Sequence, residues 1–155
     1  LGVPVVCAGG IGTEDDFVHA LRLGYAGVQM GTRFIATAEC RASTPYKQAI
    51  VSAGADDIVL TERVTGVPLA VIRTPYVERI GTRAGPLARW MLRGRRRKKL
   101  MRALYALKSA WQLKQASLDE TGTKDYWQAG RSVDGVSSVE PAGDIVRRFA
   151  RAAGG

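Results

Sequence analysis

Two glycine turns stand one strand-helix step apart near the start of this 155-residue sequence. The first is Gly9-Gly10, within Ala8-Gly9-Gly10-Ile11. The second is Gly31, within Gln29-Met30-Gly31-Thr32. Each follows a short apolar run, at residues 3–8 and 26–30, that reads as a strand buried on both faces, as in a parallel sheet. Between them, Thr13 is a good N-cap with Asp16 three residues on, close to a capping box. Phe17, Ala20 and Leu21 recur at helical spacing, and Gly24 suits the residue just past the helix end. Residues 3–33 therefore read as one βαβ unit of about the usual 30 residues. Two parallel strands can neither close a barrel nor form a stable open sheet by themselves. The remaining strands are expected upstream, and the start at Leu1, directly before a strand, reads as that of an excised or incomplete piece.

The glycines carry the first chemical expectation. A phosphate needs several N–H donors converging at about 2.8 Å. Side chains would hold the backbone away, so glycine is favoured, and a following helix N-terminus would add partial positive charge. In (β/α)₈ barrels the loops after the last two strands often bind phosphate together. The same glycines would also suit ordinary tight turns between strands and helices.

Farther along, Ser43 can cap a helix at 45–53, with Pro45 near its first turn and Gly54 beyond its end. Residues 59–62 and 69–72 read as strands of a hairpin turning at Thr65-Gly66. Residues 86–118 favour helix, interrupted near Gly94, with Leu100, Leu104, Leu107, Trp111 and Leu118 near helical spacing. Residues 119–135 are polar and irregular, with a short helix conceivable around Tyr126. A last helix is expected at 141–153, ending at Gly154. These elements make an α/β chain, a partial (β/α)₈ barrel over 1–84 with a mainly helical C-terminal extension over 85–155.

A hydrophobic content of 46% allows a packed core, and no apolar run approaches the roughly 20 residues of a membrane span. No signal peptide is visible. Cys7 and Cys40 match no zinc or CxxC spacing, and a reduced, cytoplasmic setting is the simple reading. The net charge of +9 is uneven: Arg93, Arg95, Arg96, Arg97, Lys98, Lys99 and Arg102 supply most of the excess. No aromatic residue interleaves that run, so a solvated helix face is favoured over a nucleic-acid or anionic-membrane contact. Nucleic acid is not an expected partner; a homo-oligomer is left open. Trp90, Tyr105, Trp111, Tyr126 and Trp127 are read as packing residues. Asp15 and Asp16 sit adjacent at a helix start, where they favour the dipole. No metal site is expected.

The wording of the motifs goes further than their spacing. Val5-Val6-Cys7-Ala8-Gly9-Gly10-Ile11 and Ala26-Gly27-Val28-Gln29-Met30-Gly31-Thr32-Arg33-Phe34 closely resemble the nitronate monooxygenase (2-nitropropane dioxygenase) family. The resemblance continues through Tyr46-Lys47-Gln48-Ala49-Ile50, Arg73-Thr74-Pro75 and Trp127-Gln128-Ala129-Gly130, and weakens between 85 and 124. It implies an FMN-dependent (β/α)₈ barrel. By motif match, Gly9, Gly10, Gly31 and Thr32 would donate backbone N–H groups to the FMN phosphate, with the Thr32 hydroxyl as a further donor. Gln29 and Met30 would lie beside the phosphate or ribityl chain. The implied reaction oxidises an alkyl nitronate, with molecular oxygen reoxidising the flavin, and yields a carbonyl compound and nitrite. Related flavin-dependent enoyl-acyl-carrier-protein reductases share the first two motifs and remain an alternative. So does a non-catalytic phosphate-ligand or nucleic-acid-binding module. The family's catalytic histidine follows an earlier strand, so no catalytic residue is assigned; His19 reads as a helix-surface residue.

Overall fold

The computed structural model describes residues 2–63, 68–82 and 126–154. Strand β1 (Val6–Ala8) pairs in parallel with β2 (Gly27–Gln29), with Cys7 opposite Val28. Both are shorter than the apolar runs that contain them. Burial on both faces is not found among the described residues: Val6 is 56% exposed, whereas Cys7 on the opposite face is half-buried. Among the described residues, helices cover one face of the pair and leave the other open.

Helix α1 (Glu14–Arg22) joins these strands. Its capping box is complete. The Thr13 hydroxyl accepts from the Asp16 N–H at 3.2 Å, and the Asp16 carboxylate accepts from the Gly12 and Thr13 N–H groups at 3.0 and 2.9 Å. The helix ends in a Schellman arrangement, in which Gly24 N–H donates to Leu21 and Tyr25 N–H to Ala20. That geometry places Gly24 at φ 91°, a region glycine enters without steric cost.

The last helix, α5 (Ala142–Gly154), packs against α1. Ile11, Ala20, Ile145 and Phe149 form the core between them, with the Phe17 and Phe149 rings 5.6 Å apart. The Glu39 carboxylate accepts the Ala142 N–H and so serves the start of α5.

A second core gathers around α3 (Thr44–Ser52), whose Tyr46 and Ile50 are buried. Ser43 precedes α3, but its hydroxyl makes no capping bond. A 3-10 turn (Ala55–Asp57) leads into β3 (Ile58–Thr61), which pairs antiparallel with β4 (Leu69–Ile72). The hairpin is as expected, with β3 set one residue earlier; its turn at Thr65-Gly66 lies outside the described residues. Helix α4 (Pro75–Ile80) follows, capped by the Thr74 hydroxyl, which accepts from Val77 N–H at 3.2 Å. Thr74-Pro75 is a helix-start signal.

The segment around Tyr126 corrects the sequence reading. Residues 126–130 are extended, and the helical turn comes later, as a 3-10 turn at Arg131–Gly135. Trp127 C=O accepts from Ile72 N–H at 2.9 Å, and Ala129 N–H donates to Ala70 at 3.3 Å. The tail thus lies antiparallel along β4, because a strand edge offers unpaired backbone groups that an isolated turn of helix cannot match. Trp127 stacks on Tyr46 at 6.0 Å and closes the second core with Ile72, Ala129, Val133 and Val136. The helix expected at 86–118, its basic run at 93–102 and the irregular stretch at 119–125 lie outside the described residues.

Candidate cofactor-phosphate site

The two glycine turns emerge from the same end of the parallel pair, since β1 and β2 run side by side in register. Gly9 and Gly10 adopt φ values of 88° and 77°, which a side chain would strain. Among the described residues, no atom lies within 4 Å of a Cβ built on Gly9, Gly10 or Gly31. No described part of the chain therefore crowds either turn.

Their amides are not equivalent. Gly9 N–H points to the Gln29 carbonyl at 3.5 Å and extends the strand ladder. Gly10 N–H, Gly31 N–H and Thr32 N–H have no acceptor among the described residues. The N-terminus of α1 supplies none of the positive field expected of it. Its first turn carries Glu14, Asp15 and Asp16, and Asp16 already takes the Gly12 and Thr13 N–H groups. Burial pushes the Asp16 carboxyl upward, but these donors outweigh it and hold the group below its ordinary value. Three carboxyl groups there would repel a phosphate.

Beyond Gly31 the chain turns at once into the short helix α2 (Thr32–Ile35). Thr32 is 9% exposed, and its hydroxyl oxygen accepts the Gly130 N–H at 3.0 Å. Gly31, Thr32 and Ile35 line a cleft of about 260 Å³ with Leu69, Ala70 and the tail residues Gln128–Gly130. Gln29 is exposed, whereas Met30 packs on the α1–α5 core with Val28 and Phe34. The strand alternation that aims Gln29 outward turns the Met30 side chain away. His19 is exposed on α1.

Behind the cleft lies a charged group that sequence reasoning missed. Arg33 is 2% exposed; its guanidinium donates to Glu140 at 2.6 Å and to the Ser138 carbonyl at 3.3 Å. Glu140 also accepts from Arg148, which donates to Glu14 at 2.7 Å. This chain of charges ties α2 and α5 to the start of α1. Arg33 follows Thr32 directly, but no local pattern marks an arginine for burial. Its partner lies 107 residues away.

The Arg148 hydrogen bond, helped by Arg33 and Ser138 and opposed by burial, lowers Glu140 from its ordinary 4.5 to about 2. A carboxyl with a depressed folded-state value stabilises the fold fully above 4.5, and that stabilisation is lost as pH falls toward 2. Melting temperature should therefore drop through this window, and Glu140→Gln should flatten the drop. Parallel melting curves of both proteins from pH 6 to pH 2 would refute the assignment.

Strand, glycine turn, helix, strand and glycine turn thus form one α/β unit whose turns no other described residue crowds. The family model for nitronate monooxygenase matches residues 1–151, and the chain belongs to that family. Among curated relatives, a (3aS,4S,5R,7aS)-5-hydroxy-7a-methyl-1-oxo-octahydro-1H-indene-4-carboxyl-CoA dehydrogenase of Mycobacterium tuberculosis is 42% identical over 85 residues, 54% of this chain and 24% of the relative. A probable nitronate monooxygenase of Staphylococcus saprophyticus is 39% identical over 80 residues, 52% of this chain and 22% of the relative. Among solved structures, FabK of Thermotoga maritima superposes with a TM-score of 0.74 at 28% identity, over 99% of this chain and 45% of that one. The matches therefore span about a quarter of these curated relatives and under half of FabK.

Proposed function

We propose that this chain supplies the phosphate-holding part of an FMN-dependent oxidoreductase that oxidises alkyl nitronates with molecular oxygen to a carbonyl compound and nitrite. The observation that carries this reading is the pair of glycine turns: among the described residues no atom lies within 4 Å of a Cβ built on Gly10 or Gly31, and the N–H groups of Gly10, Gly31 and Thr32 have no acceptor. A phosphate monoester fits that donor set. Gly10, Gly31 and Thr32 would hold it, and Gln29 would stand on the same open face. Gly9 contributes mainly through its conformation, because its amide serves the ladder, and Met30 through its backbone. When bound, the flavin would supply the two-electron acceptor that no side chain provides.

Residues 1–84 would then be barrel-derived, and 85–155 an added portion whose described part shares the same cores. A partial (β/α)₈ barrel and a cytoplasmic location belong to the same proposal. No catalytic residue is assigned within these residues.

The visible spectrum of the full-length protein tests this first. Flavin absorption is expected, and Gly31→Val should lower FMN affinity at least about tenfold through steric exclusion. The Gly31 backbone has an ordinary φ of −99° and no neighbour within 4 Å of a Cβ, so the fold should survive. A protein that neither carries nor takes up flavin would sink the reading. Unchanged FMN affinity in Gly31→Val would show that the loop is only a turn.

A second reading has its own support. The relative from Mycobacterium tuberculosis is a carboxyl-CoA dehydrogenase. Its substrate class, an acyl thioester, suits the flavin-dependent enoyl-reductase alternative as well. NAD(P)H oxidation with an enoyl thioester, without nitrite release from a nitronate, would favour this class.

A further inference from the structure

We propose that the C-terminal segment, residues 126–154, clamps the two glycine turns at a fixed separation, so that its docking and the binding of a ligand that spans both turns strengthen each other. Asp134 and Arg148 are the positioning residues of this clamp. The inference rests on the flavin reading above and concerns how a distant part of the chain controls that site.

The strand pair alone does not fix the turns. Its ladder ends where Gly9 N–H meets the Gln29 carbonyl. Past that point, among the described residues, no hydrogen bond or ion pair joins 10–14 directly to 30–35. The C-terminal segment joins them twice. Its backbone makes the first link. Gly130 N–H donates to the Thr32 hydroxyl oxygen at 3.0 Å. Farther on, Gly135 lies so close to Gly12 that an added Cβ would sit 2.4 Å from the Gly12 carbonyl carbon. The 3-10 turn at Arg131–Gly135 therefore reaches from the second turn to the first. Side chains make the second link, from α5. Arg148 donates to Glu14, at the start of α1, at 2.7 Å. It also donates to Glu140, which accepts from the buried Arg33 on α2.

The backbone link is anchored away from the turns. The Asp134 carboxylate accepts the Ala55 N–H at 2.6 Å and fastens the 3-10 turn to the one before β3. The buried Tyr46 hydroxyl donates to the Gln128 carbonyl at 2.5 Å and holds the extended part against the second core. Asp134 belongs to neither glycine turn and does not line the cleft, so its effect on a ligand must pass through the segment. Coupling between two equilibria is reciprocal: the factor by which docking raises affinity is the factor by which the ligand favours docking. A phosphate shared by the Gly10, Gly31 and Thr32 amides needs both turns in register. The rest of a flavin does not.

The test uses the full-length protein with FMN and riboflavin, which differ only in the phosphate. Asp134→Ala should lower FMN affinity at least about fivefold, the lower end for coupled sites, and keep riboflavin affinity within about twofold. Asp134→Asn retains the acceptor oxygen and should keep FMN affinity within about twofold of wild type. Arg148→Met should act like Asp134→Ala. Arg147→Met, which removes the same charge from the same helix but breaks only the pair with Asp144, should not. Hydrogen exchange supplies the reciprocal readout. FMN, but not riboflavin, should slow exchange of the Ala129 and Gly130 amides at least about fivefold relative to the Gly81 amide at the end of α4. If Asp134→Ala and Arg148→Met change both affinities alike or change neither, or if FMN leaves the exchange of the segment alone, the segment is merely structural. The inference then falls while the flavin reading stands. If the wild type binds neither flavin, both fall.

Discussion

Gly135→Ala should lower the free energy of unfolding by about 3 kcal/mol, the upper range for overpacking a rigid contact. An added Cβ at Gly135 would sit 2.4 Å from the Gly12 carbonyl carbon and 2.6 Å from its oxygen. Neither side can yield cheaply. Gly12 is held by the capping carboxylate of Asp16, and Gly135 closes the 3-10 turn of the tail. Gly12→Ala should behave alike, because its Cβ would meet the Ser132 carbonyl at 2.5 Å. Gly27→Ala is the control, with no neighbour within 4 Å among the described residues. Urea denaturation of the three variants would decide the matter. A Gly135→Ala protein as stable as Gly27→Ala would show that tail and glycine turn do not meet.

The second large effect is electrostatic and asymmetric. Glu140→Ala should cost about 3–5 kcal/mol, because it leaves a guanidinium buried without a counter-charge. Among the described residues, Arg33 would keep the Ser138 carbonyl as its one hydrogen-bond acceptor. The reverse change, Arg33→Met, should cost only about 1–2 kcal/mol. It refills the buried volume with an apolar chain, and Glu140 retains Arg148, Ser138 and partial access to water. Equal losses in the two variants would contradict the assignment of burial to the arginine side. Arg148, at 43% side-chain exposure, should matter less than either.

The βαβ unit was legible because its signals are local. Thr13, Asp16 and Gly24 lie within the helix they bound, and the hairpin strands carry their own apolar pattern. Ser43 was read as a cap on composition alone, yet its buried hydroxyl makes no such bond. Tyr126 was misplaced because its conformation is set by β4, more than fifty residues earlier in the sequence. The candidate site divides in the same way. Gly10, Gly31 and Thr32 stand out from spacing and wording. That Gly9 spends its amide on Gln29 and that Met30 faces the core required coordinates. Arg33, Glu140 and Gly130 stayed hidden because each finds its partner across about a hundred residues.

That separation has a consequence during synthesis. Thr32 leaves the ribosome 98 residues ahead of the amide whose hydrogen bond it accepts. At 5–20 residues per second this is a delay of about 5–20 s. The glycine turns, the capping box and the first helix can all form within that interval, as local contacts do. A nascent chain stalled before Gln128 should therefore hold the βαβ unit without the finished cleft. The cleft would be completed in one step, when the tail pairs with β4.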